Sequence, residues 1–481
     1  MGVNTLRMPD RGDCQHSAEG GHWPVTPSGS RCWVFLSSGR GLHFCKVLRK
    51  FHSVAHRVAG RINGVVLTVK GRVPMVANAV EVVVTGMGAM TPVGGTVAQT
   101  WNGLLEGRSG IALLDQPWAQ ELPVRVAGLV SAEPGALLST REYRRMDRCG
   151  HLALVASREA WAQAGRPAVD PDRLAVVIGS GYGGLGTVLS QVRILDSGGP
   201  RRVSPHTLTQ VMANGPSAWV SIDVGAQGGA RTPVSACASG AEAIAQGLEM
   251  IRSGAVDVVV AGGVDACVNE LAISGFAQLR ALSTSEDNPA GASRPFDRDR
   301  NGFVIAEGAG IVILEREDFA RARGAEILGR IAGAAVTSDA GDIVAADQAM
   351  QHRVMQKALT AAGLSAADIG FVHAHATSTP IGDLLEAGAI TAVVGNQVPV
   401  TSTKSMTGHL LGGAGVLGAI VTIQALRTGS LPGTLNLENP DPKINLNVIK
   451  TTTGCAGSSR AAITNAFGFG GHSTALVITA A

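Results

Sequence analysis

The chain has 481 residues, a formal net charge of +3, 45% hydrophobic residues, only 4% aromatics and 63 glycines. This composition excludes a fibrous or disordered chain, and the length exceeds what one hydrophobic core usually holds, so two packed halves are expected. Residues 1–79 hold 11 Lys and Arg against 3 Asp and Glu, and the remainder holds 29 against 34; the body is mildly acidic, which argues against nucleic-acid binding.

No run of 18 apolar residues is free of polar breaks, so no membrane span is expected. Seven scattered cysteines make no disulfide framework and suit a reducing, cytoplasmic compartment. Residues 1–79 form an atypical N-terminal extension with five of the twelve histidines, three cysteines and little periodicity. It reads as a disordered extension, a basic targeting segment, or sequence ahead of a true start at Met75. Its His and Cys spacings match no zinc finger.

From Glu81 the pattern changes. The run Val82-Val83-Val84-Thr85-Gly86 predicts a buried strand and turn. His151 to Ala164 has helical spacing, Leu174–Ile178 repeats the strand pattern, and Gly240 to Arg252 is again helical. Strands follow at Val256–Val260 and Ile311–Leu314, with Ser283–Arg300 a turn-rich loop between them. A second block starts near Gly324. It predicts a strand at Ile327–Ala335, helices around Asp347–Ala362 and Asp383–Val394, a strand at Phe371–His375, a helix after Gly412 and a closing strand at Ala475–Thr479. The alternation implies an α/β protein with largely buried sheets, built as residues 80–322 and 323–481 after the 1–79 extension.

Four motifs carry chemistry. Thr232 to Ala245 puts Cys237 where an extended segment runs into a helix, among small residues. A helix N-terminus favours thiolate, and backbone N–H groups there suit an oxyanion. Val372 to Asp383 places His373 and His375 at a strand end; a strand ending between them lets His375 turn into a site while His373 packs. Ser402 to Gly415 holds Lys404 and His409 in a glycine-rich loop before a helix, without the glycines of a phosphate-binding loop. Asn465 to His472 sets Phe467 and Phe469 among glycines, as in a mobile gate. One thiol and two imidazoles from separate loops are what a decarboxylating condensation needs, with no metal or redox cofactor.

In this order and spacing the motifs are similar to those of β-ketoacyl-[acyl-carrier-protein] synthases of the elongating type II, and resemble the mycobacterial long-chain members around Val234-Ser235-Ala236-Cys237-Ala238-Ser239-Gly240. The resemblance covers residues 80–481. It implies the thiolase-like fold, two duplicated halves in α-β-α-β-α layers, and a homodimer. It implies that Cys237 accepts the acyl group, that His375 and His409 serve malonyl decarboxylation, and that Lys404 organises the site with Glu386. His373 falls outside the matched positions. The N–H groups of Cys237 and Phe469 become oxyanion donors, and Phe469 gates the acyl pocket beside Phe467. Arg141, Arg144, Arg145 and Arg280 match a basic patch for docking acyl carrier protein, whose phosphopantetheine carries the malonyl and acyl thioesters; no separate cofactor is implied.

The chain departs from the family pattern at Asn301, where a carboxylate thought to join the lysine network is expected; at Gly418, where many members carry a Glu near a buried cation; and at His472, often a Thr. These imply an altered charge balance or shifted specificity. A thiolase would need a second catalytic Cys where Phe467 and Phe469 stand. A non-catalytic chain-length-factor-like subunit would lack Cys237. A polyketide-type synthase would run the same chemistry on another chain.

Overall fold

The computed structural model describes residues 80–454 and 460–481, together with a short antiparallel pair, Gly60–Ile62 and Val65–Leu67. The chain divides into units 1–75 and 76–481. The expectations for the rest of the N-terminal extension lie outside the described residues.

In the second unit eleven strands form the main sheet: β1 Val82–Met90, β2 Leu174–Gly179, β3 Ala230–Arg231, β4 Val258–Asp265, β5 Gly308–Arg316, β6 Gly329–Ser338, β7 Ile369–His373, β8 Pro399–Thr401, β9 Asn447–Val448, β10 Ala461–Gly468 and β11 His472–Thr479. Their order is β9-β8-β7-β10-β11-β6-β1-β5-β4-β2-β3. Outward from its centre the sheet repeats itself. The series β1-β5-β4-β2-β3 and the series β6-β11-β10-β7-β8 share both order and sense, two antiparallel pairings followed by two parallel ones. Among the described residues, strand pairing between the two series is limited to Gly329 with Val84 and Arg330 with Val83.

The strands are β-branched or small on both faces because both faces are covered. Helix α1 (Arg148–Gln163) packs on the outer face of the first series, where Leu152, Ala156 and Ala160 meet Val176, Ile178, Val260 and Ile311. Helix α2 (Ser239–Arg252) packs on its inner face with Ile244, Leu248 and Ile251. On the second series, α3 (Gln348–Ala362) and α4 (Pro380–Val394) cover the outer face, with Met355, Leu359 and Ile390 against Ile369, Ile463 and Val477. Helix α5 (Ala414–Thr428) shares the inner core with α2 through Val416, Ala419, Ile420 and Ile423. The result is five layers, α-β-α-β-α, as the resemblance implies. The segment Leu411–Thr428 has the length and apolarity of a membrane span, but 78% of it is buried inside the fold, so its composition serves the central layer.

Strand β7 stops at His373, so His373 packs inward and the chain turns before His375. Strand β10 escaped the sequence reading. Its residues are small and apolar up to Asn465, and the glycines after Phe467 draw attention to the turn instead of the strand.

Candidate active site

Cys237 lies in a single turn, Ala236–Ala238, that leads directly into α2. Ala236 adopts a left-handed φ of 49°, which makes the chain reverse sharply before the thiol. The Ser239 hydroxyl fixes the turn by donating to the Ala236 carbonyl (2.7 Å) and accepting from the Ser235 N–H (3.0 Å). The hairpin between β10 and β11 closes over this turn. A Cβ on Gly468 would lie 2.4 Å from the Ser235 carbonyl oxygen and 3.1 Å from the Cys237 nitrogen, so only glycine permits the approach. The backbone N–H groups of Cys237 and Phe469 both act on the sulfur and favour its charged form.

His375 and His409 meet with ring centroids 5.3 Å apart, edge to face. The His375 loop is set by Glu386 on α4, whose carboxylate accepts from the N–H of His375 (2.8 Å), the N–H of Ala376 (2.6 Å) and the amide of Asn465 (3.1 Å). His409 is pinned by backbone bonds to Val304 and Ala306. Both histidines line the cavity, and each has a buried Nδ1 without a hydrogen-bond partner among the described residues. Burial first, and Lys404 second, hold both imidazoles well below the usual histidine range. They are therefore neutral N–H donors at pH 7.

Lys404 opens the short helix Lys404–Thr407 and is buried. Burial brings its ammonium down to about 8, opposed by Glu386, Cys237 and Asp383. Among the described residues it forms no ion pair within 4 Å, so its coupling to Glu386 acts across space. The thiolate expectation needs correction. Burial and then Asp265 push the Cys237 thiol up to about 12, against the pull of Lys404 and the two backbone N–H groups. In the free protein the helix terminus does not overcome desolvation, and the thiol is neutral.

The departure at Asn301 also reads differently in the structure. Asn301 is exposed and faces Thr284 and Ser285 at 3.4 Å. The second carboxylate near Lys404 is Asp383, buried on α4, accepting from the N–H groups of Phe296 and Ser378. Burial raises it to about 7. At Gly418 a Cβ would lie 2.7 Å from Thr464 Oγ1 and 3.0 Å from His373 Nδ1, so these two side chains fill the space a larger residue would need. His373 donates to or accepts from Thr403 Oγ1 at 3.0 Å, and burial takes it down to about 3.

Sequence reasoning missed Asp265. At the end of β4, fully buried, it accepts from the Ser180 hydroxyl (2.8 Å) and the N–H groups of Gly181 (3.0 Å), Tyr182 (3.2 Å) and Gly412 (2.7 Å). It ties the loop after β2 to the loop after His409, directly behind Cys237. The available signal was a carboxylate ending an otherwise apolar strand.

Cys237, His375, His409, Phe467, Phe469, Glu386 and Arg280 all line one cavity of about 490 Å³. Phe276 packs against Phe303 (5.2 Å) and Phe469 (6.4 Å), making an aromatic wall. Arg141, Arg144 and Arg145 sit on the capped helix Thr140–Arg145, away from the cavity lining. Among the described residues none of the three forms an ion pair.

The β-ketoacyl synthase N-terminal domain matches residues 79–320, and the β-ketoacyl synthase C-terminal domain matches residues 328–438. The chain is similar to 3-oxoacyl-[acyl-carrier-protein] synthase 2 of Mycobacterium tuberculosis, with 44% identity over 82% of this chain and 96% of the relative. It is also similar to the synthase of that name from Synechocystis, with 41% identity over 82% and 97%. A β-ketoacyl synthase from Burkholderia phymatum superposes with a TM-score of 0.79 at 33% identity, covering 84% of this chain and 100% of that one. AntDE:AntF, a type II polyketide ketosynthase bound to its acyl-carrier protein and a hexaketide, superposes at 0.78 with 28% identity over 84% and 100%. The chain belongs to the β-ketoacyl synthase family.

Proposed function

We propose that this protein is an elongating β-ketoacyl-ACP synthase, joining a malonyl thioester to an enzyme-bound acyl group with loss of carbon dioxide. The observation that carries this is the cavity that holds Cys237, with two N–H groups at its sulfur, beside two neutral histidines. Cys237 sulfur attacks the acyl thioester carbon. The oxyanion takes hydrogen bonds from the N–H groups of Cys237 and Phe469, and the carrier thiol departs with the proton. Malonyl thioester then replaces it. The Nε2–H groups of His375 and His409 donate to its thioester oxygen as the C–CO2 bond breaks and the electron pair enters the enolate. The enolate carbon attacks the acyl-cysteine carbon, and the Cys237 thiolate leaves. Lys404 keeps the imidazoles neutral and offsets the charge on sulfur. Phe469 is the gate over the acyl group, with Phe467 beneath it.

The substrates arrive on phosphopantetheine, and acyl carrier protein docks on Arg141, Arg144, Arg145 and Arg280, cationic groups on an otherwise acidic body. The two sheet series correspond to functional halves 80–322 and 323–481. A second copy of this chain covers the edge beside β3. There Val188, Val192 and Leu195 share one face of helix Leu185–Gly198, and Leu208 (76% exposed) and Ile222 (72%) lie nearby. The free thiols of Cys149, Cys237 and Cys267 suit a cytoplasmic setting.

Intact-mass spectrometry tests the reading. Incubation with acyl-ACP gives an acyl adduct on Cys237, and malonyl-ACP discharges it as 3-oxoacyl-ACP. No adduct from any acyl-ACP would overturn the assignment, and loading from acyl-CoA alone would favour a thiolase.

A further inference from the structure

The cavity is not uniformly apolar. Part of its lining is built by the loop after β6, the first turn of α3 and the start of β11. It presents Asp339, Asp347, Gln351, His472 and Ser473. These elements are bound to one another. Gln351 N–H donates to the Asp347 carbonyl (3.0 Å), Asp339 N–H donates to the Gly471 carbonyl (3.1 Å), and Gly470 N–H donates to the Ile343 carbonyl (2.7 Å). The His472 ring lies over Gly470, close enough that a Cβ there would touch it at 3.1 Å.

Gln351 stands out among them. It is 3% exposed, its Oε1 is buried without a partner, and among the described residues its amide makes no hydrogen bond. A buried carbonyl oxygen with nothing to bind costs free energy that a hydrogen bond would recover. An alkyl chain laid against this wall would leave that cost in place. A chain bearing oxygen would relieve it, because an amide can donate to a keto or hydroxyl oxygen and accept from a hydroxyl. The imidazole of His472 and the hydroxyl of Ser473 extend the same capacity.

We propose that Gln351 and His472 form a polar subsite selecting acyl thioesters whose chain carries a hydroxyl or keto oxygen over plain alkyl chains of equal length. The inference rests on the condensing-enzyme reading and names a substrate class for it. Specificity of this kind follows when a site built to hydrogen-bond an oxygen meets a substrate lacking it.

The test loads Cys237 from ACP thioesters of one saturated chain and its hydroxyl- and keto-bearing counterparts, followed by intact mass. Gln351→Met is the paired variant, because it keeps the volume and removes the amide. The expected result is loading of at least one oxygenated chain about tenfold faster than the saturated chain in the native protein. In Gln351→Met that preference falls to about unity because loading of the oxygenated chain slows more than loading of the saturated one. Equal loading of both classes by the native protein overturns the subsite and leaves the enzyme assignment intact. So does a preference that persists in the variant. Equal slowing of every substrate in the variant also overturns it, since Gln351 would then read the shared carrier arm. Failure to load any thioester sinks the enzyme assignment and the subsite together.

Discussion

Gly468→Ala is the sharpest perturbation of the oxyanion geometry. The added Cβ would sit 2.4 Å from the Ser235 carbonyl oxygen. An unstrained carbon–oxygen contact is roughly 3.3 Å, so the hairpin and the nucleophile turn must separate by about 0.9 Å. Both neighbours are backbone, and no side chain can swing aside. The two N–H groups that face the Cys237 sulfur come one from each side of that contact. Separating them removes one donor from the developing oxyanion, which costs about 10²–10³ in rate. The strain itself costs about 1–3 kcal/mol of stability, enough to lower Tm without unfolding a protein of this size. The assay is the rate of Cys237 acylation by intact mass, with Tm measured alongside. Gly275→Ala is the control. It lies in the helix Glu270–Gln278 with nothing within 4 Å of its Cβ, and it should leave acylation unchanged. A folded Gly468→Ala protein that acylates within about threefold of the native rate would refute the reasoning.

Other outcomes follow from the same geometry. Cys237→Ala abolishes loading and condensation, whereas His375→Ala and His409→Ala slow release of carbon dioxide from malonyl-ACP far more than acyl loading; single-turnover assays of each half-reaction separate the two, and equal losses in both would contradict the assigned roles. Because the thiol is pushed up to about 12, its thiolate fraction climbs with pH across the whole working range. Iodoacetamide labelling of Cys237 should therefore accelerate from pH 7 to pH 10 without levelling off, and a plateau near neutrality would contradict the neutral resting thiol. Gly418→Ala should lower Tm through contact with Thr464 and His373, by about 1–3 kcal/mol; an unchanged Tm would show that those side chains yield freely.

Much of this architecture was legible in the chain. Strands buried on both faces announce themselves as unbroken β-branched runs, and Val82–Val84, Leu174–Ile178 and Ile311–Leu314 all lie within strands of the main sheet. The turn that frees His375 from β7 was one of two readings the strand pattern allowed. The remainder depended on distances no spacing conveys. Asp265 and Asp383 look like ordinary surface carboxylates in one dimension, and only the fold buries them against backbone N–H groups from distant loops. Asn301 seemed to weaken the lysine network because its sequence neighbourhood matched the family, yet its side chain turns outward. The thiol was misjudged for a similar reason. A helix terminus is visible in sequence, while the degree of enclosure that opposes it is not.

The shared inner layer has a consequence for the order of synthesis. Helix α5 seals the core that the first sheet series and α2 begin, but it leaves the ribosome roughly 160 residues after β4. At about 5–20 residues per second the part of that layer that α5 covers, around Gly240 and Ala241 of α2 and Gly310 of β5, waits on the order of 10–30 s for its cover. The nascent first half thus has its outer core closed under α1 while part of its inner layer is still bare. A slow codon between β4 and α5 should then lower the yield of folded protein without altering one residue of the active site, which expression of synonymous variants would show.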